Sequence, residues 1–175
     1  TNEKLINKIT DNIYDIVIHL VSLDHKKSNI NLSSAINVNV IPIWKLLDCL
    51  TKKETTKKFI NFSTIQVYGN IPNKNITESF KPNPTNYYGL THVMAEDICN
   101  YFNSQSDIQC INLRLSNSFG SPIFIKNNCW WLVINDLCKM AYEKNIIKIL
   151  SKGNPQRDFI HNSEIYNAVK LLIDN

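Results

Sequence analysis

The sequence predicts an α/β fold in which helices pack on a parallel sheet, and three observations support it. Three short runs rich in β-branched residues recur along the chain, and an amphipathic helical pattern separates each from the next. The composition, 43% hydrophobic and 19% charged over 175 residues, is enough for a buried core. Strand, helix, strand, helix, strand in that order implies parallel strands joined by crossover helices.

The first strand is expected in Tyr14-Asp-Ile-Val-Ile-His-Leu-Val21, the second in Lys58-Phe-Ile-Asn-Phe-Ser63 and the third in Gln109-Cys-Ile-Asn-Leu-Arg-Leu115. Between the first two, Val40, Ile43, Trp44, Leu47 and Leu50 share one helical face. Between the second and third, Val93, Ile98, Tyr101 and Phe102 do the same. Beyond Gly120-Ser-Pro122 the pattern becomes a helix from Trp130 to Tyr142, a strand from Ile146 to Leu150, a turn at Lys152-Gly-Asn-Pro155 and a strand from Arg157 to His161. Ser163 is placed to N-cap a last helix that runs to the C-terminus. The expected division is into residues 1–122 and 123–175.

Composition excludes several function classes. The longest apolar stretches, such as Cys129 to Ile134, fall far short of the ~20 residues that cross a bilayer, so no membrane partner is expected. The N-terminal residues lack an apolar signal core. Five cysteines (Cys49, Cys99, Cys110, Cys129, Cys138) include no Cys-x-x-Cys pair and none sits near a histidine at zinc-finger spacing. They read as reduced thiols of a cytoplasmic protein with no metal. The net charge of +4 comes from scattered lysines, with Arg114 and Arg157 as the only arginines, so no nucleic-acid partner is expected. The four glycines, Gly69, Gly89, Gly120 and Gly153, lie too far apart for a phosphate-cradling loop.

Ligands of open α/β sheets bind beyond the carboxyl ends of the strands. Candidate site segments are therefore His19-Leu-Val-Ser22, Ser63-Thr-Ile-Gln-Val-Tyr-Gly69 and Ser116-Asn-Ser-Phe-Gly120, which on their own also fit ordinary turn chemistry. In the helix that follows the second segment, Tyr88, His92 and Glu96 stand one turn apart in a single row, so a hydroxyl and a basic nitrogen share a neighbourhood. Taken alone, that row reads rather as a half-buried tyrosine beside a solvated histidine at a helix N-terminus.

The motifs DIVIHL, FINFSTIQVYG, NPTNYYGLTHVMAE, LRLSNSFGSP and QRDFIH, in this order and with an Asn-Val helix after the first, resemble the extended short-chain dehydrogenases/reductases. Within them the sequence is most similar to the NAD-dependent nucleotide-sugar epimerases and dehydratases, from about Tyr14 to about Ile173. The resemblance implies a Rossmann-like parallel sheet with helices on both faces, bound NAD (or NADP) and a nucleoside-diphosphate sugar substrate. It also implies a homodimer and a setting in polysaccharide biosynthesis.

Position by position, the resemblance puts Thr64 on the family's active-site Ser or Thr, Tyr88 on the tyrosine of its Tyr-x-x-x-Lys motif, and Asn39 on an asparagine of its water relay. It places Leu20, Val21 and Ser22, with Tyr88 and His92, at the cofactor, and Gln66, Asn117 and Arg157 at the substrate. His92 stands where the family usually has lysine. A lysine is charged at neutral pH, whereas a histidine near its ordinary pKa of ~6.5 is so only in part, unless a neighbouring tyrosinate stabilises the cation. Ile65 and Gln66 replace the acidic pair of the 4,6-dehydratases, which leaves epimerisation or keto reduction. The glycine-rich strand-turn-helix that holds the cofactor pyrophosphate in the family has no counterpart in these residues, so the expectation is a fragment of a longer protein, with part of the substrate region also missing.

Overall fold

The computed structural model describes residues 3–54, 56–70, 75–126, 129–149 and 156–175. The chain forms two compact units, Thr1–Leu115 and Ser116–Asn175. In the first, α1 (Glu3–Thr10) precedes β1 (Ile16–His19), α2 (His25–Ser28), α3 (Leu32–Asn39) and α4 (Ile41–Lys53). Next come β2 (Lys58–Thr64), a 3-10 turn (Ile65–Tyr68), α5 (Tyr87–Gln105) and β3 (Gln109–Leu115).

The three strands pair in the order β1-β2-β3, all parallel, with Ile16 opposite Lys58 and Lys58 opposite Gln109. Sequential order and right-handed crossovers deliver both connecting helices to the same face. There Ile43, Leu47 and Leu50 of α4 meet Ala95, Cys99 and Phe102 of α5 over Phe59, every one of them buried. Each large side chain so buried stabilises the fold by about 1.5–3 kcal/mol.

The single helix expected around Val40 is two helices. Val40, at φ −115 and ψ −58, ends α3 and precedes α4, whose first turn carries Pro42. A proline there forfeits no hydrogen bond, because first-turn N–H groups have no helical acceptor. Trp44 and Tyr101, assigned to inward faces by periodicity, are instead 49% and 61% exposed.

The second unit contains β4 (Asn117–Phe119), α6 (Val133–Lys144), β5 (Phe159–His161) and α7 (Asn162–Asp174), with β4 and β5 parallel. Asn135 brackets Gly120: its Oδ1 accepts from Gly120 N and its Nδ2 donates to Gly120 O, each at 3.2 Å. Residues 146–149 form no strand. Ile146, Ile147 and Ile149 are at least 60% exposed, and β-branched propensity without a pairing partner does not make a ladder. Leu150 and the turn at 152–155 lie outside the described residues. The N-cap of α7 is His161 rather than Ser163, with His161 Nδ1 accepting from Ser163 N at 3.2 Å.

Candidate active site

The carboxyl ends of β1 and β2 and the amino end of α5 build one site within the first unit. Asn86 caps α5 by accepting from Gly89 N at 2.8 Å, and its Nδ2 donates to Gln66 Oε1 at 3.2 Å, which fastens the first turn of α5 to the segment after β2. Gly89 permits the approach, since a Cβ there would stand 2.5 Å from the Gln66 carbonyl oxygen. Thr64, the last residue of β2, accepts from Gln66 N at 3.3 Å and so opens the 3-10 turn.

Tyr88 lies between these elements. Burial raises its pKa above the ordinary tyrosine value and the Asp24 charge adds to that, while hydrogen bonding to the Thr64 and Ser22 hydroxyls works the other way. Asn39 fixes the segment that carries Ser22. Its Oδ1 accepts from Leu23 N at 2.8 Å, and its Nδ2 donates to Thr91 Oγ1 at 2.9 Å and to Ser28 Oγ at 3.3 Å. With both amide hydrogens committed to protein hydroxyls, Asn39 ties the β1 loop to α5 and positions the site.

His92 packs edge-on to Tyr88, with ring centroids 4.5 Å apart, and its Nε2 stands 3.4 Å from Ser22 Oγ. It is 5% exposed, which corrects the solvated reading. Burial lowers its pKa to about 4; Glu96 draws it upward and His19 downward. His92 is therefore neutral at pH 7 and gives Tyr88 no positive neighbour. His19, stacked on Phe59 at 6.1 Å, is likewise pushed down to about 4 by burial.

Glu96, the third residue of the row, is bound on two sides. Ser63 Oγ donates to its Oε1 at 2.5 Å, and Arg114 grips both oxygens, Nε to Oε1 at 3.0 Å and Nη2 to Oε2 at 2.6 Å. Arg114 Nη1 also donates to the Tyr68 hydroxyl at 2.9 Å. A bidentate guanidinium satisfies a buried carboxylate that would otherwise be very costly. Sequence reasoning placed Ser63 and Tyr68 within a candidate segment without giving either a role, and left Arg114 out of the site. The available signal was an arginine inside a strand segment and a glutamate in the helical row of Tyr88.

The family model described as NAD dependent epimerase/dehydratase family matches residues 1–175. The chain belongs to that family. It is 27% identical over 170 residues to the UDP-glucose 4-epimerase of Mycoplasma genitalium, covering 90% of this chain and 50% of that protein. Among solved structures, it is similar to the UDP-N-acetylglucosamine 4-epimerase from Methanobrevibacter ruminantium M1 in complex with UDP-N-acetylmuramic acid, with a TM-score of 0.84 and 28% identity over 95% of this chain and 53% of that one. The UDP-glucuronic acid 4-epimerase from Bacillus cereus, in complex with UDP-glucuronic acid and NAD, shares the fold at a TM-score of 0.79 and 22% identity, covering 99% of this chain and 52% of that one. The chain thus spans about half the length of these relatives.

Of the other residues expected in the site, Leu20 and Val21 follow β1 and are 63% and 61% exposed beside Ser22. Gln66 is half-buried, with its side-chain Oε1 accepting from Asn86 Nδ2. Asn117 and Arg157 belong to the second unit. Asn117 Nδ2 donates to Asp158 O at 2.9 Å, and Arg157 is exposed. No helix among the described residues is long and apolar enough to cross a membrane.

Proposed function

We propose that this chain supplies the sugar- and nicotinamide-facing part of an NAD-dependent nucleotide-sugar epimerase. The observation that carries the reading is the Tyr88 phenol met by the Thr64 and Ser22 hydroxyls at the carboxyl ends of parallel strands. The residues fit one end of a nicotinamide dinucleotide. Exposed Leu20 and Val21 offer an apolar surface, and Ser22, Thr64 and Tyr88 offer hydroxyls. The 175 residues contain no glycine-rich turn for its pyrophosphate. When bound, the cofactor supplies hydride acceptance and return.

Tyr88 takes the proton of the sugar hydroxyl as that carbon is oxidised, and Thr64 hydrogen-bonds the same oxygen. Tyr88 must first lose its own proton, which burial and Asp24 oppose and the two hydroxyls assist. A neutral His92 contributes ring packing and its contact with Ser22. Proton acceptance is therefore favoured at alkaline pH. Ile65 and Gln66 supply no carboxylate for 4,6-elimination, so epimerisation or keto reduction is the reaction class. Arg157 suits a diphosphate because its guanidinium fork matches phosphate oxygens, and the family resemblance is what supports giving Asn117 a part in binding the nucleotide sugar. A cytoplasmic homodimer completes the proposal.

The neutral His92 and the raised Tyr88 pKa also favour a second reading, a catalytically silent relative that binds cofactor or nucleotide sugar. The two separate when a polypeptide carrying this chain is incubated with NAD and a panel of UDP- and dTDP-sugars from neutral to alkaline pH, with products resolved by NMR. An epimerase yields the epimer at a rate that rises with pH, and His92→Lys moves that rise to lower pH. Binding of a nucleotide sugar with no conversion at any pH overturns the epimerase reading.

A further inference from the structure

Cys99 and Cys110 stand apart from the chemistry assigned to the site. Cys99 lies on the inner face of α5, fully buried in the core. Cys110 lies on β3, partly buried and packed against that core. Cys110 and Asn112, two residues apart on β3, share the strand face that meets α5, and Cys99 and Asn103 lie one turn apart on the helix opposite. Side-chain ties hold the helix and strand that carry them in register. Asn103 Oδ1 of α5 accepts from the Cys110 backbone N–H at 2.9 Å. Asn112 Nδ2 of β3 donates to the Glu96 carbonyl at 3.4 Å and to Asn100 Oδ1 at 3.3 Å. The two side chains thus face one another across the α5–β3 seam, and each of the remaining cysteines belongs to another element or loop.

We propose that Cys99 and Cys110 form a reversible disulfide when the protein meets a peroxide, a modification site that joins α5 to β3. The reaction balances as two thiols and one hydrogen peroxide giving one disulfide and two waters. The Cys110 thiolate attacks one peroxide oxygen and breaks the O–O bond, forming a sulfenic acid and releasing one water after proton transfer. Cys99 then passes its proton to the sulfenic oxygen and attacks the Cys110 sulfur, so that the S–S bond forms, the S–O bond breaks and the oxygen leaves as the second water. Two electrons pass from the thiol pair to the peroxide.

The environment orders these roles. Burial in the core raises the pKa of Cys99 above the ordinary thiol value and keeps it protonated. Cys110 is also the more exposed of the two, so the nucleophilic thiolate is the one a small oxidant reaches. Cys99, protonated and facing it, is the resolving partner. A dithiothreitol-type reductant restores both thiols by exchange.

The test treats the 175-residue chain with hydrogen peroxide, alkylates the remaining thiols, digests without reduction and maps cross-links by mass spectrometry. The expected result is one peptide pair joining Cys99 to Cys110, lost on reduction, with Cys49, Cys129 and Cys138 still alkylated. Cys110→Ser should abolish the pair, and Cys99→Ala should leave Cys110 to advance to the sulfinic acid. The wild-type map decides the matter even if a variant fails to fold. Over-oxidation of Cys110 beside a still-alkylatable Cys99, or cross-links scattered among all five cysteines, would overturn the proposal.

Discussion

Two buried neutral histidines make the first unit sensitive to acid, and the size of the effect follows from their surroundings. His19 and His92 each titrate at about 4 in the folded chain, against 6.5 when hydrated. The unfolded chain therefore binds more protons between those limits, and stability must fall as pH drops through 6.5 toward 4. Moving each pKa from 6.5 to about 4 amounts to about 3 kcal/mol per histidine once both states are protonated, and to about 2 kcal/mol each at pH 5. Two such groups remove about 4 kcal/mol at pH 5, a large part of a typical domain stability of about 5–15 kcal/mol. Urea unfolding followed by tryptophan fluorescence at a series of pH values measures this directly. His92→Gln keeps a polar ring-sized group and removes the titration, so it should flatten the slope between pH 6.5 and 5 by about half, and His19→Gln should do the same. Wild-type stability that stays level from pH 7 to 5, or a slope unchanged in both variants, would refute the burial argument.

Three other perturbations have defined outcomes. Glu96→Ala strands Arg114 and Ser63 beneath the site and should cost about 3–5 kcal/mol in urea unfolding, far more than any surface ion pair such as Lys52–Asp48. Gly89→Ala drives a methyl into the Gln66 carbonyl, so a loss of about 1–3 kcal/mol is expected in the same assay, and an unchanged midpoint would show that the α5 approach is looser than described. The 175-residue chain, having no glycine-rich turn for the pyrophosphate, should bind NAD with a Kd of about 1 mM or weaker by calorimetry, and micromolar affinity would contradict that.

The strands were legible because β-branched runs bounded by polar residues carry a local signal. Lys58–Thr64 and Gln109–Leu115 lie within a residue of the segments read from sequence, while Ile16–His19 is the inner half of its segment. Periodicity was weaker for faces than for helices. It placed Leu47, Leu50 and Phe102 in the core correctly, and put Trp44 and Tyr101 there although the neighbouring elements leave them in water. The split at Val40 was hidden because a first-turn proline is compatible with a new helix as well as with a broken one. The isoleucines of 146–149 had strand composition but no partner, a property of the tertiary arrangement. The same is true of the site. The spacing of Tyr88 and His92 was visible in the chain, but the charge of His92 depends on burial by elements distant in sequence. The Arg114–Glu96 pair likewise joins a strand to a helix 18 residues away.

The central claim, that Tyr88 accepts the sugar proton, is tested most directly by Tyr88→Phe. The comparison is made in a polypeptide that carries this chain and turns over a nucleotide sugar, with kcat measured beside nucleotide-sugar affinity. The phenyl ring keeps the edge-on packing against His92, so affinity should stay within a few-fold while kcat falls by about 100-fold or more, the loss of a positioned proton acceptor. An unchanged kcat would remove Tyr88 from the chemistry and with it the account of the site.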